Sequence, residues 1–423
     1  MSRYVISLIE QAIWSLLNLG VNLTLVRLLA PVEYGSFVFW ANCGYVLASL
    51  QNAVSVGHLF ALPSGEAQSA HRRDVERIMH SVTCVWLLVV FVGCLVGALA
   101  LRGAGNPLGR PEAAFYVTAF LLQQYVRSLA FSRGAVMTAA VQTSAVLFLG
   151  ATLIATWFAL NRNGDGAIAL LCLATAYGVV GAVGAWRAIA RQMSGITLAE
   201  LLAYKAYLMQ SGWIFLGVTT TELLARFYSF VVVGWFGAAS LAELSTSQLL
   251  LRPIPLLATS WSMVARGDLV QKREAGDWKG IARQTRLVVA GGFLVSIIWT
   301  GIVFGFWAQL DEIMFRGKYA NIAWMVLLWG GASALSFSQV AVSAALQALK
   351  AFKQLAIANA AASGVAVVAI LVLIRLHGQG GAIVGTAVGQ TLEAGVMAMM
   401  LFGMLRSAPV SSAQAPTDRT AVD

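Results

Sequence analysis

The sequence predicts an all-α polytopic membrane protein, with about twelve transmembrane helices in two six-helix lobes around a central cavity. Three observations predict this fold: the composition, the spacing of apolar spans and a repeat between the two halves. Of the 423 residues, 59% are hydrophobic and 11% are charged, whereas a soluble domain carries roughly 25% charged residues. Because charge is sparse along the whole length, most of the chain is expected to face lipid or other helices.

Twelve apolar spans are long enough to cross a bilayer, whose hydrocarbon core needs about 20 residues of helix. Turn residues separate them, as at Ala30-Pro31 and Gly378-Gln379-Gly380. The spans lie at residues 6–29, 35–61, 78–101, 112–133, 135–160, 167–190, 207–234, 238–265, 284–308, 320–349, 354–376 and 380–405.

Basic residues are concentrated in alternate connections between these spans. The connections after even-numbered spans hold fourteen Lys and Arg residues, and those after odd-numbered spans hold six. Since cytoplasmic loops carry the excess of Lys and Arg, we predict an inner (plasma) membrane protein with both termini in the cytoplasm. The net charge of +10 then reflects membrane orientation, and no nucleic-acid partner is expected.

The two halves of the chain resemble each other. A hydrophilic stretch at 70–77 follows span two, and another at 272–283 follows span eight. The turn at Ala30–Gly35 has its counterpart at Gly237–Ala242, and both pairings give an offset of about 206 residues. Because six is an even number of spans, the chain returns to the same side of the membrane, and the second six helices have the same orientation as the first. Such a parallel repeat predicts a cavity between the two lobes.

The predicted domains follow from this repeat. The N-terminal lobe covers residues 1–194 and the C-terminal lobe covers residues 195–406. The remaining segment, 407–423, is rich in Ser, Ala, Pro and Thr and is predicted to be a disordered cytoplasmic tail.

The sequence shows no sign of a metal site, a cofactor or an enzyme active site. The four cysteines lie in apolar spans without metal-site spacing, and no two of the four histidines form a metal-like pair. A Gly-rich phosphate loop, a nucleophile elbow and a paired-carboxylate motif are also lacking. Energy for any transport is therefore expected from a gradient or from substrate turnover on the far side of the membrane.

Charged side chains inside the spans are the most informative candidates, because a charge at mid-bilayer costs roughly 2.5–3.5 kcal/mol. Span seven carries Glu222 and Arg226, four residues apart in the order that favours an ion pair on one helix face. Such a pair either holds helices together or serves transport. Span eight carries Arg252 before Pro253 and Pro255, which are expected to bend the helix. We predict that Arg252 lines a water-filled cavity, where its guanidinium can hold a diphosphate.

Three further charges allow alternative interpretations. Glu393, near the middle of span twelve, is interpreted either as a counter-charge to Arg226 or Arg252 or as a site for a coupling proton or cation such as sodium. Glu10 and Arg127 lie near the cytoplasmic ends of spans one and four. Snorkelling of both side chains to the interface is the favoured interpretation, with a cavity role as the alternative.

Stripes of polar residues at helical spacing run along several spans. They suit either interhelical hydrogen bonds, worth about 0.6 kcal/mol each on average, or the hydroxyl groups of sugars. The aromatic members can stack on sugar rings, although tryptophan is also common at membrane interfaces. The candidate sugar-binding residues are Trp14, Asn18, Asn22, Asn42, Tyr45, Asn52, Gln123, Gln248 and Gln339.

Two motifs of the chain carry a family resemblance. The first is the segment Val26–Phe37, and the second is Gly276-Asp277, with Lys279 and Arg283, in the loop after span eight. They resemble the "R-x-L-G-P-x-E-Y-G" turn and the corresponding loop of polysaccharide (O-antigen) flippases, with Ala30 where glycine is common. These flippases are a family of the multidrug/oligosaccharidyl-lipid/polysaccharide (MOP) exporter superfamily. The resemblance implies movement of a polyprenyl-diphosphate-linked oligosaccharide from the inner to the outer leaflet, often coupled to an ion gradient. It also implies contacts with membrane lipid and with polysaccharide-assembly proteins.

The turn at Pro31–Gly35 also has a local explanation. Proline ends a helix, and Gly35 is expected to supply an unusual backbone angle before the next helix begins.

The leading functional hypothesis is a flippase that works by alternating access. Arg226, Arg252 and Arg127, set against Glu222 and Glu393, leave a slight positive excess that favours an anionic head group. A multidrug or organic-cation exporter of the same superfamily is the first alternative, and it needs uncompensated acids. A membrane polymerase or ligase of the polysaccharide pathway is the second. Such enzymes usually need a sizeable outward loop, whereas the predicted outward loops do not exceed about fifteen residues, close to the ordinary range for connections.

Overall fold

The computed structural model describes residues 3–60, 62, 70–160, 165–190 and 197–407. These residues contain helices and turns but no strand, which confirms the all-α class. The tail predicted to be disordered lies beyond Ser407, outside the described residues. The α-helices are α1 (Arg3–Leu28), α2 (Pro31–Gln51), α3 (Gly57–Phe60), α4 (Ala70–Gly103), α5 (Glu112–Ser132), α6 (Val136–Leu160), α7 (Gly166–Ala185), α8 (Leu198–Ala203), α9 (Leu208–Phe236), α10 (Ala238–Leu249), α11 (Pro253–Glu274), α12 (Trp278–Gly305), α13 (Trp307–Leu310), α14 (Ala323–Ala348), α15 (Phe352–His377) and α16 (Gln379–Ser407).

Eight helical segments of the described chain are long and apolar enough to cross a membrane. They are Ala70–Gly103, Val136–Leu160, Gly166–Ala188, Leu198–Phe236, Trp278–Gly305, Ala320–Ala348, Phe352–His377 and Gln379–Arg406. The chain is therefore a multi-pass membrane protein. Predicted spans one, two, four and eight are helical too, as α1, α2, α5 and the α10–α11 pair. α1, α2 and α5 are not apolar enough to be counted with these eight, and predicted span eight is divided between the 12-residue α10 and α11, which ends in charged residues.

The chain divides into two compact units. Unit 1 consists of Met1–Leu249 and Phe306–Ala323, and unit 2 consists of Leu250–Gly305 and Trp324–Asp423. Unit 1 thus contains α1 to α10 together with α13, whereas unit 2 contains α11, α12 and α14 to α16. The lobe boundary at residues 194 and 195 rests on the sequence repeat and stays a prediction.

Predicted span eight is interrupted in the middle. α10 and α11 are separated by the turn Leu250–Arg252, and α11 then continues to Glu274. Pro253 is the first residue of α11, where its missing N–H removes no helical hydrogen bond. Within unit 2, the indole of Trp299 donates to the carbonyl of Leu250 at 2.8 Å. The bend expected from the prolines is thus a three-residue turn that divides predicted span eight (238–265) into two helices, and α11 extends beyond the predicted end of the span.

Gly35 lies inside α2, which begins at Pro31, and it has no positive φ. The unusual backbone angle expected there is wrong. A Cβ at Gly35 would lie 1.8 Å from the carbonyl oxygen of Ala238, the first residue of α10. Glycine is needed because α2 passes directly against the start of α10. The left-handed backbone belongs instead to Gly237, with φ of 84°, at the repeat-related turn.

Candidate substrate pocket

A pocket of about 280 Å³ lies within unit 1, lined by residues of α1, α2, α5 and α9. Its volume is near the lower end of the roughly 300–1,000 Å³ found for small-ligand sites. Four of the residues that the sequence singles out line it: Trp14, Tyr45, Asn52 and Arg226. The structure therefore brings together candidates from three separate predicted spans.

Glu222 and Arg226 form the ion pair predicted from their spacing on α9. Nε of Arg226 donates to Oε2 of Glu222 at 2.9 Å, and its Nη1 donates to Oδ1 of Asn42 at 2.9 Å. Ser49 donates its hydroxyl to Oε1 of Glu222 at 2.6 Å. The pair is consequently held by two polar residues of α2, and both members remain partly exposed, at 29% for Arg226 and 15% for Glu222.

A chain of polar contacts continues from this pair to α1. The guanidinium carbon of Arg226 lies 4.5 Å from the ring centroid of Tyr45. The Tyr45 hydroxyl donates to Oδ1 of Asn18, whose amide donates to the carbonyl of Trp14 at 3.0 Å. The indole of Trp14 lies beside the ring of Phe120, with centroids 6.3 Å apart. These contacts fix the positions of the rings that line the pocket.

Glu10 is buried, and Arg127, at 14% exposed, binds it, so the predicted snorkelling of Glu10 to the interface is wrong. Nε and Nη2 of Arg127 donate to the two carboxylate oxygens of Glu10 at 2.6 and 2.8 Å. Thr143 of α6 donates a further hydrogen bond to Glu10 at 2.6 Å. The guanidinium carbon of Arg127 also lies 5.0 Å from the ring centroid of Trp14, a lining residue of the pocket. The two side chains stabilise each other's charge, and neither needs to reach water.

The remaining sugar candidates are dispersed. Asn22 accepts from the hydroxyl of Tyr34 at 3.0 Å, whereas Gln123 is buried and accepts from Gln124 at 3.1 Å. Gln248 accepts a long hydrogen bond of 3.5 Å from the hydroxyl of Tyr228. None of these three candidates lines the pocket in the part of the chain that the structure describes.

Sequence reasoning missed one lining face. Phe120, Gln124 and Ser128 of α5 line the pocket and follow one another at intervals of four residues. Residues at that interval share one face of a helix. The four-residue spacing that selected Gln123 and Arg127 applies equally to Phe120, Gln124 and Ser128. This second face was missed because it carries no charged residue, whereas the neighbouring face carries Arg127.

Glu393 lies in unit 2 and is almost completely buried. Gln339 donates its amide to one carboxylate oxygen, and Asn359 donates to the other at 3.2 Å. No basic residue among the described parts of unit 2 forms an ion pair with Glu393, so its interpretation as a counter-charge to Arg252 is wrong. Two further oxygen atoms, Oδ1 of Asn359 and Oε1 of Gln390, are buried without a hydrogen-bond partner in the described chain.

Arg252 precedes the first residue of α11, next to the break in predicted span eight, and is half-buried. Its guanidinium has no hydrogen bond or ion pair among the residues that the structure describes. A charged group in this position is available to an anion.

The fold is similar to that of solved membrane transporters. The lipid II flippase MurJ, in an inward closed conformation, matches with a TM-score of 0.73 and 12% identity over 94% of this chain and 87% of that chain. A multidrug resistance MATE family transporter of the MOP superfamily, in an inward-facing conformation, matches with a TM-score of 0.69 and 12% identity over 96% of this chain and 100% of that chain. A MOP superfamily transporter from Pyrococcus furiosus matches with a TM-score of 0.62 and 13% identity over 96% and 94% of the two chains.

No protein-family model and no curated protein matches the chain. At 12–13% identity, these likenesses show the fold. The chain therefore has the all-helical fold of MOP superfamily transporters, as predicted. The solved relatives of this fold include both a flippase and multidrug transporters, so membership of the polysaccharide flippases stays a prediction.

Proposed function

We propose that this chain is a flippase that translocates a polyprenyl-diphosphate-linked oligosaccharide from the inner to the outer leaflet by alternating access. The observation that carries this proposal is the chemistry of the unit 1 pocket. Its lining offers the amides of Asn52 and Gln124, the hydroxyls of Ser49 and Ser128, and aromatic rings. Amides, hydroxyls and aromatic rings are the groups that bind uncharged, hydroxyl-rich sugars.

The charge balance of the pocket argues against an organic cation as the substrate. Glu222 is neutralised by Arg226, and Glu10 is neutralised by Arg127. The same two arginines lie over the rings of Tyr45 and Trp14, at 4.5 and 5.0 Å. One face of each of these two rings is thus already covered by an internal cation, which weakens its attraction for a second cation.

Arg252 is the proposed ligand of the diphosphate. It is half-buried and carries no internal partner in the described chain, unlike Arg226 and Arg127. A planar guanidinium forms two parallel hydrogen bonds to a phosphate group. Arg252 is therefore proposed as a phosphate ligand within unit 2, and the sugar-binding groups are proposed separately for the unit 1 pocket.

Glu393 is the proposed coupling site. A buried carboxylate without a cationic partner is stabilised when a proton or a metal cation joins it. The unpartnered oxygens of Asn359 and Gln390 add neutral ligands of the kind that hard cations such as sodium prefer. This arrangement supports coupling of transport to a proton or sodium gradient.

A multidrug or organic-cation exporter is the second candidate function. It is favoured by one observation, because Glu393 has no basic partner in the described part of unit 2 and would attract a cationic substrate. A membrane polymerase or ligase is not favoured by any such observation.

Vesicles containing the purified protein test the proposal. We expect translocation of a short-chain lipid-diphosphate oligosaccharide and no transport of a dye cation. Arg252→Gln should abolish translocation, whereas Arg266→Gln, an exposed residue on the same helix, should not. Transport of the dye cation alone would support the second candidate. Full activity of Arg252→Gln would contradict the assignment of the diphosphate.

The coupling assignment has its own experiment in the same vesicles. Imposed proton or sodium gradients should accelerate translocation by the unmodified protein. Glu393→Gln should remove this acceleration, because the amide cannot exchange a proton or supply a negative charge. A variant that still responds fully to both gradients would contradict the role of Glu393.

A further inference from the structure

A second recess lies in unit 2, at one end of two helices. Its volume is about 400 Å³, and it is lined by the first residues of α12 and the last residues of α16. Lys279 and Arg286 of α12 and Arg406 of α16 contribute three positive charges, and Trp278 and Phe402 contribute aromatic rings. We refer to these five residues as the basic cup. The transport mechanism proposed above does not use them.

The positive charge of the basic cup is not compensated by the protein. Lys279, Arg286 and Arg406 form no ion pair within the described chain, and no acidic side chain lines the recess. The guanidinium of Arg286 instead lies 5.6 Å from the ring centroid of Phe402. Three cations that line one recess repel each other, and a bound anion would relieve this repulsion.

The acidic residues that precede α12 are already occupied. Asp268 pairs with Lys272 at 3.4 Å, and Glu274 lies 3.3 Å from Arg273. The carboxylate of Asp277 accepts from an amide in the first turn of α12 at 2.8 Å. None of these three carboxylates forms an ion pair with a residue of the cup, so its three exposed cations are open to an anion from outside the chain.

The position of the basic cup suits a lipid head group. Trp278 begins α12 six residues before predicted span nine, and Arg406 follows the last residue of predicted span twelve. Both points lie on the side of the membrane that the distribution of Lys and Arg assigns to the cytoplasm. Tryptophan and arginine at such a level mark the interface between head groups and acyl chains.

Exposed apolar side chains lie on both helices, further toward the predicted membrane core than the residues that they follow or precede. Leu287 follows Arg286 and is 62% exposed, and Met399 lies one helical turn before Phe402 and is 68% exposed. In a bilayer, exposed apolar side chains at this level contact acyl chains. The two helices thus offer charge to a head group and apolar side chains to its tails.

We propose that the basic cup binds an anionic phospholipid of the cytoplasmic leaflet. Its phosphate accepts hydrogen bonds from Lys279, Arg286 and Arg406, and its acyl chains lie against Leu287 and Met399. Clustered basic residues on the cytoplasmic side of membrane helices attract anionic head groups. The site is separate from the transport pocket, so this inference does not depend on the proposed substrate.

Lipid titrations of the purified full chain test the inference, with binding measured by native mass spectrometry. The probes are phosphatidylglycerol, phosphatidylcholine and a polyprenyl diphosphate. The cup variant carries Lys279→Gln, Arg286→Gln and Arg406→Gln together. Its matched control carries Arg266→Gln, Arg283→Gln and Lys353→Gln, which remove three charges from exposed sites predicted to face the cytoplasm. A third variant, with Lys279→Arg, Arg286→Lys and Arg406→Lys, keeps the charge of the cup.

We expect the cup variant to bind phosphatidylglycerol about tenfold more weakly or worse, with no change for phosphatidylcholine. The control and the charge-keeping variant should retain the affinity of the unmodified protein, which separates lost binding from lost folding. Equal loss in the control variant would show a general surface effect and overturn the site. Unchanged binding in the cup variant would overturn it as well. Preference of the cup for a polyprenyl diphosphate over phosphatidylglycerol would overturn the choice of occupant.

Discussion

Arg127 holds the carboxylate of Glu10 in a two-pronged contact, with Nε and Nη2 at 2.6 and 2.8 Å from its two oxygens. Because Glu10 is only 1% exposed, this contact has no competition from water. It joins α1 to α5, and Thr143 extends it to α6 through a hydrogen bond of 2.6 Å to Glu10. The Glu10–Arg127 ion pair therefore supports the part of the pocket wall that Trp14 forms.

Removing one member of this pair should destabilise the protein strongly. In Glu10→Gln, the guanidinium of Arg127 stays buried without its counter-charge, and breaking a buried pair in this way costs roughly 3–5 kcal/mol. We expect a large fall in the apparent melting temperature in detergent. Asp74→Asn is the matched control, because the Asp74–Arg77 pair is exposed and such pairs contribute about 0–1 kcal/mol.

The double variant Glu10→Gln with Arg127→Gln completes a thermodynamic cycle. It removes both charges, so its melting temperature should recover part of the loss seen in the single variants. A double variant whose loss equals the sum of the two single losses would show that the charges do not interact.

Local spacing explains which part of the site was predictable from the sequence. Glu222 and Arg226 are four residues apart on one helix, and their ion pair was predicted correctly. Glu10 and Arg127 lie 117 positions apart, and their separate positions near the ends of two spans gave no sign of their contact. Pairing across helices depends on how the helices pack, which spacing within a single span does not contain.

The fold was predicted more completely than its details. Apolar spans and turn residues place most helices, because length and hydropathy are local properties. The reason for Gly35 was missed, since it depends on Ala238, more than two hundred residues further along the chain. The break before Pro253 was anticipated as a bend, because proline identifies a disruption without giving its extent.

Gly35→Ala should interfere with the packing of α2 against α10. The added methyl group would meet the carbonyl oxygen of Ala238, and relief of such overpacking costs roughly 1–3 kcal/mol. We expect a lower melting temperature for this variant. Gly20→Ala is the control, because a Cβ at Gly20 has nothing within 4 Å. Equal stability of the two variants would contradict the close approach of α2 to α10.

Lys318 should stabilise the C-terminal end of α1. Its ammonium donates to the carbonyls of Arg27 and Leu29 at 2.8 and 2.7 Å, where helical carbonyls lack internal partners. We expect Lys318→Gln to lower the melting temperature and to increase hydrogen exchange at the end of α1, since hydrogen bonds from charged donors contribute about 1.5–3 kcal/mol. Arg316→Gln removes the same charge from an exposed neighbour and should change neither quantity. Equal effects of the two variants would point to net charge rather than to these hydrogen bonds.

Asp311 should make the stability of unit 1 depend on pH. It lies in the predicted outward connection between spans nine and ten, and its carboxylate accepts from the backbone amide of Tyr319 at 3.0 Å. Burial raises the pKa of Asp311 above its usual value of 3.8, the nearby Glu312 raises it further, and the hydrogen bond from Tyr319 opposes the shift. The folded state therefore favours the protonated carboxyl. Its stabilising contribution is complete below about pH 3.8 and is lost as the pH rises through the folded-state pKa.

Asp311→Asn isolates this effect, because the amide keeps an oxygen that can accept from Tyr319 and carries no charge at any pH. We expect the variant to melt at a higher temperature than the unmodified protein at pH 7, and the difference should shrink as the pH falls toward 4. Glu312→Gln, at an exposed neighbouring position, removes only the smaller repulsion by the neighbouring carboxylate, so its difference from the unmodified protein should follow the same trend with a smaller amplitude. A variant at Asp311 that is less stable at pH 7, or whose difference is the same at both pH values, would contradict the role of the buried charge. Melting temperatures measured in detergent across this range decide between these outcomes.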